Sequence, residues 1–162
     1  MTWNIVSDSS CDLRSGDFAT SSIAFQVVPM QIQVGGRDYL DDENLNIPML
    51  LAEMQAEKDG SSSACPSPAA FARAFEAGEN TVCFTISGNL SGTYNAAVLA
   101  RSLVLEEHPE KKVCVIDSKS TAGAMILLIR RAKELMEGGG GFEEVCNALR
   151  SYQASLRTLF TL

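Results

Sequence analysis

The sequence predicts an α/β fold, a mainly parallel sheet flanked by helices, on two observations. Short β-prone apolar runs alternate along the chain with segments of helical periodicity. Three of those runs end in hydroxyl-rich loops, Ser7-Asp8-Ser9-Ser10, Ser87 through Thr93, and Asp117 through Thr121. In open parallel sheets ligands sit outside the carboxyl ends of the strands, so the second observation also says where a site belongs.

In chain order, Asn4-Ile5-Val6 is read as the first strand, and a short helix is expected over Asp12–Phe18. Ile23–Val34 is β-prone but holds Pro29, which marks an edge or a break because proline cannot donate to a ladder. Val34 to Tyr39 reads as a glycine turn returning into a short strand. Asn46 is placed to cap a helix with Pro48 in its first turn. Asp59–Pro68, rich in Ser, Gly and Pro, reads as a loop. Ser67 and Pro68 then start a helix whose apolar face is Phe71, Ala74 and Phe75, with Gly78 at its end.

Thr81–Thr85 is a strand, followed by the turn Ile86–Tyr94 and a helix running to about His108, which Pro109 stops. Val113–Ile116 is the clearest buried strand. A helix over Ala122–Glu137 is apolar all round in its first half, which predicts deep burial there. Gly138–Gly141 follow a helix and lack a Lys-Ser/Thr partner, so they read as a helix stop and not as a phosphate cradle. A last amphipathic helix covers Phe142–Gln153, and Arg157–Leu162 reads as a strand.

The 162 residues favour a single domain with a real core, and 46% apolar and 20% charged residues are ordinary for a globular chain. A net charge of −7 argues against binding nucleic acid or an anionic membrane. Five cysteines without a CxxC pair read as reduced thiols and place the protein in the cytoplasm. The amino terminus lacks the pattern of a signal peptide, and the apolar run Ala124–Ile129 is too short to span a bilayer.

The chemistry narrows by what is missing. His108, the only histidine, sits at a helix end, which disfavours a Ser-His-Asp hydrolase. No cluster has metal-ligand spacing, no glycine pattern fits a nucleotide fingerprint, and no cofactor is expected. Serine at a helix start is usually a cap, and loop aspartates usually bond nearby backbone. The convergence of three such loops nevertheless favours a polar pocket that binds a small oxygen-rich anion. The helix start after Ser91-Gly92-Thr93 supplies the unpaired N–H groups and the positive dipole end.

Five motifs, in order and with matching spacing, resemble the DegV family across essentially the whole chain. They are Asp8-Ser9-Ser10-Cys11-Asp12-Leu13, Val28-Pro29-Met30 with Tyr39-Leu40-Asp41, Ser63-Ala64-Cys65-Pro66-Ser67-Pro68, Ser87-Gly88-Asn89-Leu90-Ser91-Gly92-Thr93-Tyr94, and Val115-Ile116-Asp117-Ser118-Lys119-Ser120. The resemblance implies a bacterial cytoplasmic fatty-acid carrier, not an enzyme. Its ligand carboxylate would be held at Ser63 and Ser91, with Gly92, Thr93, Ser87, Asp8, Ser9, Asp117 and Ser118 around it, and its acyl chain would lie in an apolar tunnel.

A separate fatty acid kinase subunit would phosphorylate the bound carboxyl for phospholipid synthesis. Ser63-Ala64-Cys65 stands where the family has Thr-Ser-Gln, so the hydroxyl is kept and the glutamine is lost. Residues 1–162 match the family's first domain, and its second domain, with a Gly-Gly-Arg motif, has no counterpart here. The expectation is therefore one N-terminal domain with an exposed apolar surface through which it could form a homodimer. Two other readings stand beside it. One is a small-molecule phosphotransfer or hydrolytic enzyme with Asp8 or Asp117 as acid. The other is a truncated domain that binds nothing without a second chain.

Overall fold

A computed structural model describes residues 2–58 and 60–159. Along the chain come β1 (Trp3–Asp8), β2 (Ile23–Val28), β3 (Gln31–Val34), β4 (Arg37–Leu40), α1 (Ile47–Ala56), β5 (Ser61–Ala64) and α2 (Pro68–Phe75). Then follow β6 (Asn80–Thr85), α3 (Thr93–Glu107), β7 (Lys112–Asp117), α4 (Gly123–Glu137) and α5 (Phe142–Ser155).

Four strands form a parallel sheet in the order β2-β1-β6-β7. The register sets Ile5 opposite Phe25 and Val82, and Val82 opposite Cys114. Because side chains alternate along a strand, each strand feeds two cores. Ile5, Val82, Phe84 and Ile116 pack with Met125, Leu128 and Ile129 of α4 and Val145 and Leu149 of α5. Val6, Cys83 and Val113 pack on the other face with Phe71 and Phe75 of α2 and Ala97, Ala100 and Val104 of α3. Burial on both faces is why these strands read as continuous apolar runs.

A second, antiparallel sheet has the order β4-β3-β5. Pro29 lies in the break between β2 and β3, where its missing N–H costs no ladder bond. Gly35 (φ 55°) and Gly36 (φ 78°) make the two-residue β3–β4 turn, which needs left-handed backbone at both positions. Asn46 caps α1 through its side chain, and Arg37 on β4 pairs with Glu53 of α1 at 2.8 Å. Ser67 caps α2, with Pro68 as its first residue.

Four expectations are corrected. Asp12–Phe18 forms turns, not a helix. The helical piece is a single 3₁₀ turn at Ser9–Cys11, and Asp12 ends it in a left-handed conformation (φ 58°). Ser61–Ala64 is a strand although its composition reads as loop, because β3 supplies the antiparallel partner, with Ser63 opposite Ile32. The first half of α4 is not buried all round: Met125, Leu128 and Ile129 face the sheet, whereas Leu127 is 42% exposed. Arg157, Thr158 and Leu159 are not in a strand, and the remainder of that expected strand lies outside the described residues.

Candidate functional site at the strand carboxyl ends

The parallel register brings the ends of β1, β6 and β7 to one sheet edge, as the sequence predicts. Asp8 closes β1 and is fully buried. Its Oδ1 accepts the Ser10 N–H at 3.0 Å and the Ser10 hydroxyl, and its Oδ2 accepts the Ile86 N–H at 2.7 Å. Burial raises the Asp8 carboxyl above its ordinary value, and the hydrogen bonds from Ser10 and Ile86 oppose that rise. Both oxygens thus join two loops. Ser9 is also buried, and its Oγ accepts the Met30 N–H at 3.1 Å, tying the site to the strand-changing Pro29 segment.

Asp117 joins loops at the far side through one oxygen. Its Oδ1 accepts the Gly88 N–H at 3.1 Å and the Lys119 N–H at 2.8 Å. Ser118 is buried and bonds within its own loop, donating to the Ser120 carbonyl at 3.0 Å and accepting the Ser120 N–H at 3.1 Å. The Ser120 carbonyl also accepts the Ser87 N–H at 2.9 Å. Ser87 Oγ accepts the Asn89 N–H at 3.3 Å. Asp8, Ser9, Ser87, Asp117 and Ser118 therefore build the frame of the site.

The open part of that frame is the turn into α3. Gly92 is the cap residue, and no side chain caps this 15-residue helix. Ser91 Oγ lies 2.8 Å from Thr93 Oγ1 and accepts the Thr93 N–H at 3.3 Å. Thr93 is fully buried, Ser91 half-buried and Gly92 exposed. Two hydroxyls and a helix N-terminus thus meet at one place, the donor set that a carboxylate or phosphate oxygen accepts from.

Ser63 is exposed on β5. The loop after β5 reaches the turn: a Cβ placed on Gly92 would lie 3.6 Å from Cys65 Sγ. Beside Cys65 a groove of about 570 Å³ has an apolar side of Val28, Pro29, Leu40, Pro66 and Ala74, with Gln26, Gln31 and Arg73 along the rest. A second groove, of about 460 Å³, is mixed: Leu13, Val27, Pro29 and Ile47 form its apolar part, and Asp12, Asp41, Asp42 and Glu43 line the rest. The two share Val27 and Pro29 and so flank the same β2–β3 segment.

Several contributors escaped the sequence reading. Ser10 bonds Asp8 through both N–H and hydroxyl, and its carbonyl accepts the Ala122 N–H at 2.8 Å and the Thr121 hydroxyl at 3.3 Å. Lys119 (φ 52°) and Ala122 (φ 48°) hold left-handed backbone that shapes the β7–α4 loop, which nothing in Lys or Ala foretells. Thr85 lies opposite Asp117 in the register, and its buried hydroxyl has no hydrogen-bond partner among the described residues. Hydroxyl density in the sequence marks the loops but not which hydroxyls are already engaged.

Comparison with known proteins agrees with this architecture. The family model for DegV, described as a family of uncharacterised proteins, matches residues 2–162. A DegV domain-containing protein of Streptococcus pneumoniae is 42% identical over 162 residues, which cover all of this chain and 58% of that protein. The chain thus spans little more than half the length of this relative. The crystal structure of the S. pneumoniae Fatty Acid Kinase (Fak) B3 protein loaded with linoleic acid superimposes with a TM-score of 0.91 at 42% identity, over 95% of this chain and 55% of that one.

A DegV family protein from Eubacterium eligens loaded with heptadecanoic acid gives a TM-score of 0.87 at 35% identity, over 94% of this chain and 54% of that one. Among the described residues no helix is long and apolar enough to cross a membrane. With the motif order, the sheet order and the family match in agreement, this chain belongs to the DegV family.

Proposed function

We propose that this chain binds a long-chain fatty acid, with its carboxylate at Ser91, Gly92 and Thr93 and its acyl chain entering the groove beside Cys65 along Val27, Val28 and Pro29. One observation carries the reading. An uncapped helix N-terminus flanked by the Ser91 and Thr93 hydroxyls lies next to Cys65, which lines a groove with an apolar side. A fatty acid needs that pairing, a polar cradle for one end and apolar cover for the rest. In this reading Ser63, on the strand leading to Cys65, is a further hydroxyl for the carboxylate. Asp8, Ser9, Ser87, Asp117 and Ser118 hold the cradle in shape.

The fatty acids bound by the S. pneumoniae and E. eligens relatives support this ligand class. In the same reading the protein is a cytoplasmic carrier and not an enzyme. It presents the bound carboxyl group to a fatty acid kinase subunit, which phosphorylates it. Residues 1–162 form one N-terminal DegV-type domain, and the exposed Leu40, Ile47, Met49 and Leu51 give it an apolar surface that suits a homodimer contact.

Calorimetric titration of delipidated protein with oleate tests the proposal. Saturable one-to-one binding is expected, weakened about tenfold or more in Ser91→Ala, since a hydrogen bond to a charged group is worth roughly 1.5–3 kcal/mol. Absence of binding, or equal affinity in Ser91→Ala, would refute it.

A further inference from the structure

Away from the strand-end site, the outer edge of β7 carries a cluster that the carrier function does not use. Cys114 on β7 and Cys146 on α5 belong to the same core cluster and line one groove, close enough for each thiol to shift the other's titration. Both are buried as residues, yet both line a groove of about 260 Å³ that opens between α3 and α5. Arg150 donates from Nη2 to Cys114 Sγ at 3.4 Å. Arg101 of α3 lines the same groove and is fixed by an Nε–H bond to the Val113 carbonyl at 2.8 Å. Glu143 is the acidic group facing the pair.

The two thiols are not equivalent. The neighbouring Cys146 lowers the Cys114 thiol below its ordinary value, with Arg150 and Arg101 adding to the effect and burial opposing it. The same interaction, together with burial, raises Cys146. Cys114, beside two guanidinium groups, is therefore the readier of the two thiols to ionise. The two guanidinium groups make the setting electropositive, which favours a nucleophilic cysteine, and the groove is the route by which a small peroxide reaches the buried sulfur. By contrast, Cys83 is buried in the core, and burial pushes its thiol well up.

We propose that Cys114 and Cys146 form a peroxide-sensitive dithiol, with Cys114 as the attacking sulfur and Cys146 as the resolving one. The Cys114 thiolate attacks one oxygen of a hydroperoxide. An S–O bond forms, the O–O bond breaks, and the departing oxygen leaves as water or alcohol after taking a proton. Cys146 then attacks the sulfenic sulfur. The S–S bond forms, the S–O bond breaks, and the Cys146 proton leaves with the hydroxyl as water. The two thiols lose two electrons and two protons, and the peroxide is reduced by the same two electrons. The product bolts α5 to the outer strand of the parallel sheet.

The test is to reduce the protein, remove the reductant, treat it with hydrogen peroxide and map its peptides without reduction. A cross-linked Cys114–Cys146 peptide is expected. Cys146→Ser should instead accumulate a dimedone-reactive sulfenic acid at Cys114, and Cys114→Ser should leave Cys146 reduced. Arg150→Gln should slow Cys114 oxidation at neutral pH by about tenfold, the change in thiolate fraction that accompanies one unit of pKa. The wild-type map needs no variant to fold. Oxidation confined to the exposed Cys65, with Cys114 and Cys146 both recovered as free thiols, would overturn the proposal.

Discussion

Asp8 Oδ2 accepts the backbone N–H of Ile86 at 2.7 Å, and this bond joins the end of the first strand to the start of the turn that leads into α3. The partners are 78 residues apart in the chain. A buried carboxylate satisfied by main-chain donors holds the site together.

Replacing Asp8 by Asn keeps the shape but turns an NH₂ group toward a donor. The expected loss is about 1–3 kcal/mol of stability, the cost of a buried unsatisfied polar group. Urea unfolding of the two proteins at neutral pH measures it. Equal midpoints would show that the Asp8 bonds contribute nothing.

The same carboxyl sets a pH dependence. Its folded-state pKa lies above the ordinary 3.8, so the folded protein holds the proton more tightly than the unfolded chain. The contribution to stability is fully present below 3.8 and is lost as the pH rises through the folded value. Stability measured against pH from 3.8 upward should fall less steeply in Asp8→Asn than in the wild type. Parallel curves would contradict the assignment.

Ser91→Ala removes the acceptor for the Thr93 N–H at the start of α3. The expected cost is about 0.5–1.5 kcal/mol, the net worth of one such hydrogen bond. Thermal melts of ligand-free protein separate this loss from the binding effect, and an unchanged Tm would mean that water replaces the hydroxyl at no cost.

Lys111 donates from Nζ to the carbonyls of Glu76 at 2.9 Å and Gly78 at 3.1 Å, just beyond the end of α2. Lys111→Met keeps the aliphatic stem and removes the donors. A loss of about 1–3 kcal/mol is expected, since these are hydrogen bonds from a charged group. Denaturant titration decides it, and a neutral result would show that solvent satisfies the same carbonyls.

Phe84 is fully buried in a central strand, on the face covered by α4 and α5. Phe84→Ala should cost about 3–5 kcal/mol, from lost transfer energy and the cavity left behind. A midpoint shift equivalent to less than about 1 kcal/mol would mean that the core collapses around the gap.

The strand-helix alternation, the two caps at Asn46 and Ser67, the break at Pro29 and the three hydroxyl-rich strand ends are all legible in the amino-acid order alone. Those signals are local. Apolar periodicity, a cap hydroxyl and a missing proline N–H act within a few residues, so they can be read from neighbours in the chain.

Packing is what makes Ser61–Ala64 a strand, because its partner β3 lies outside the segment and its own composition carries no apolar pattern. The same holds for the exposed side of α4, where packing covers Met125, Leu128 and Ile129 and leaves Leu127 out. It holds for the site as well. Aspartate at a strand end does not announce whether its oxygens are free, and Asp8 and Asp117 both accept from N–H groups of the β6–α3 turn. Cys114 and Cys146 read as two unrelated core thiols until helix and strand pack. Contacts between distant segments form only on packing, and their geometry is set by all the elements at once.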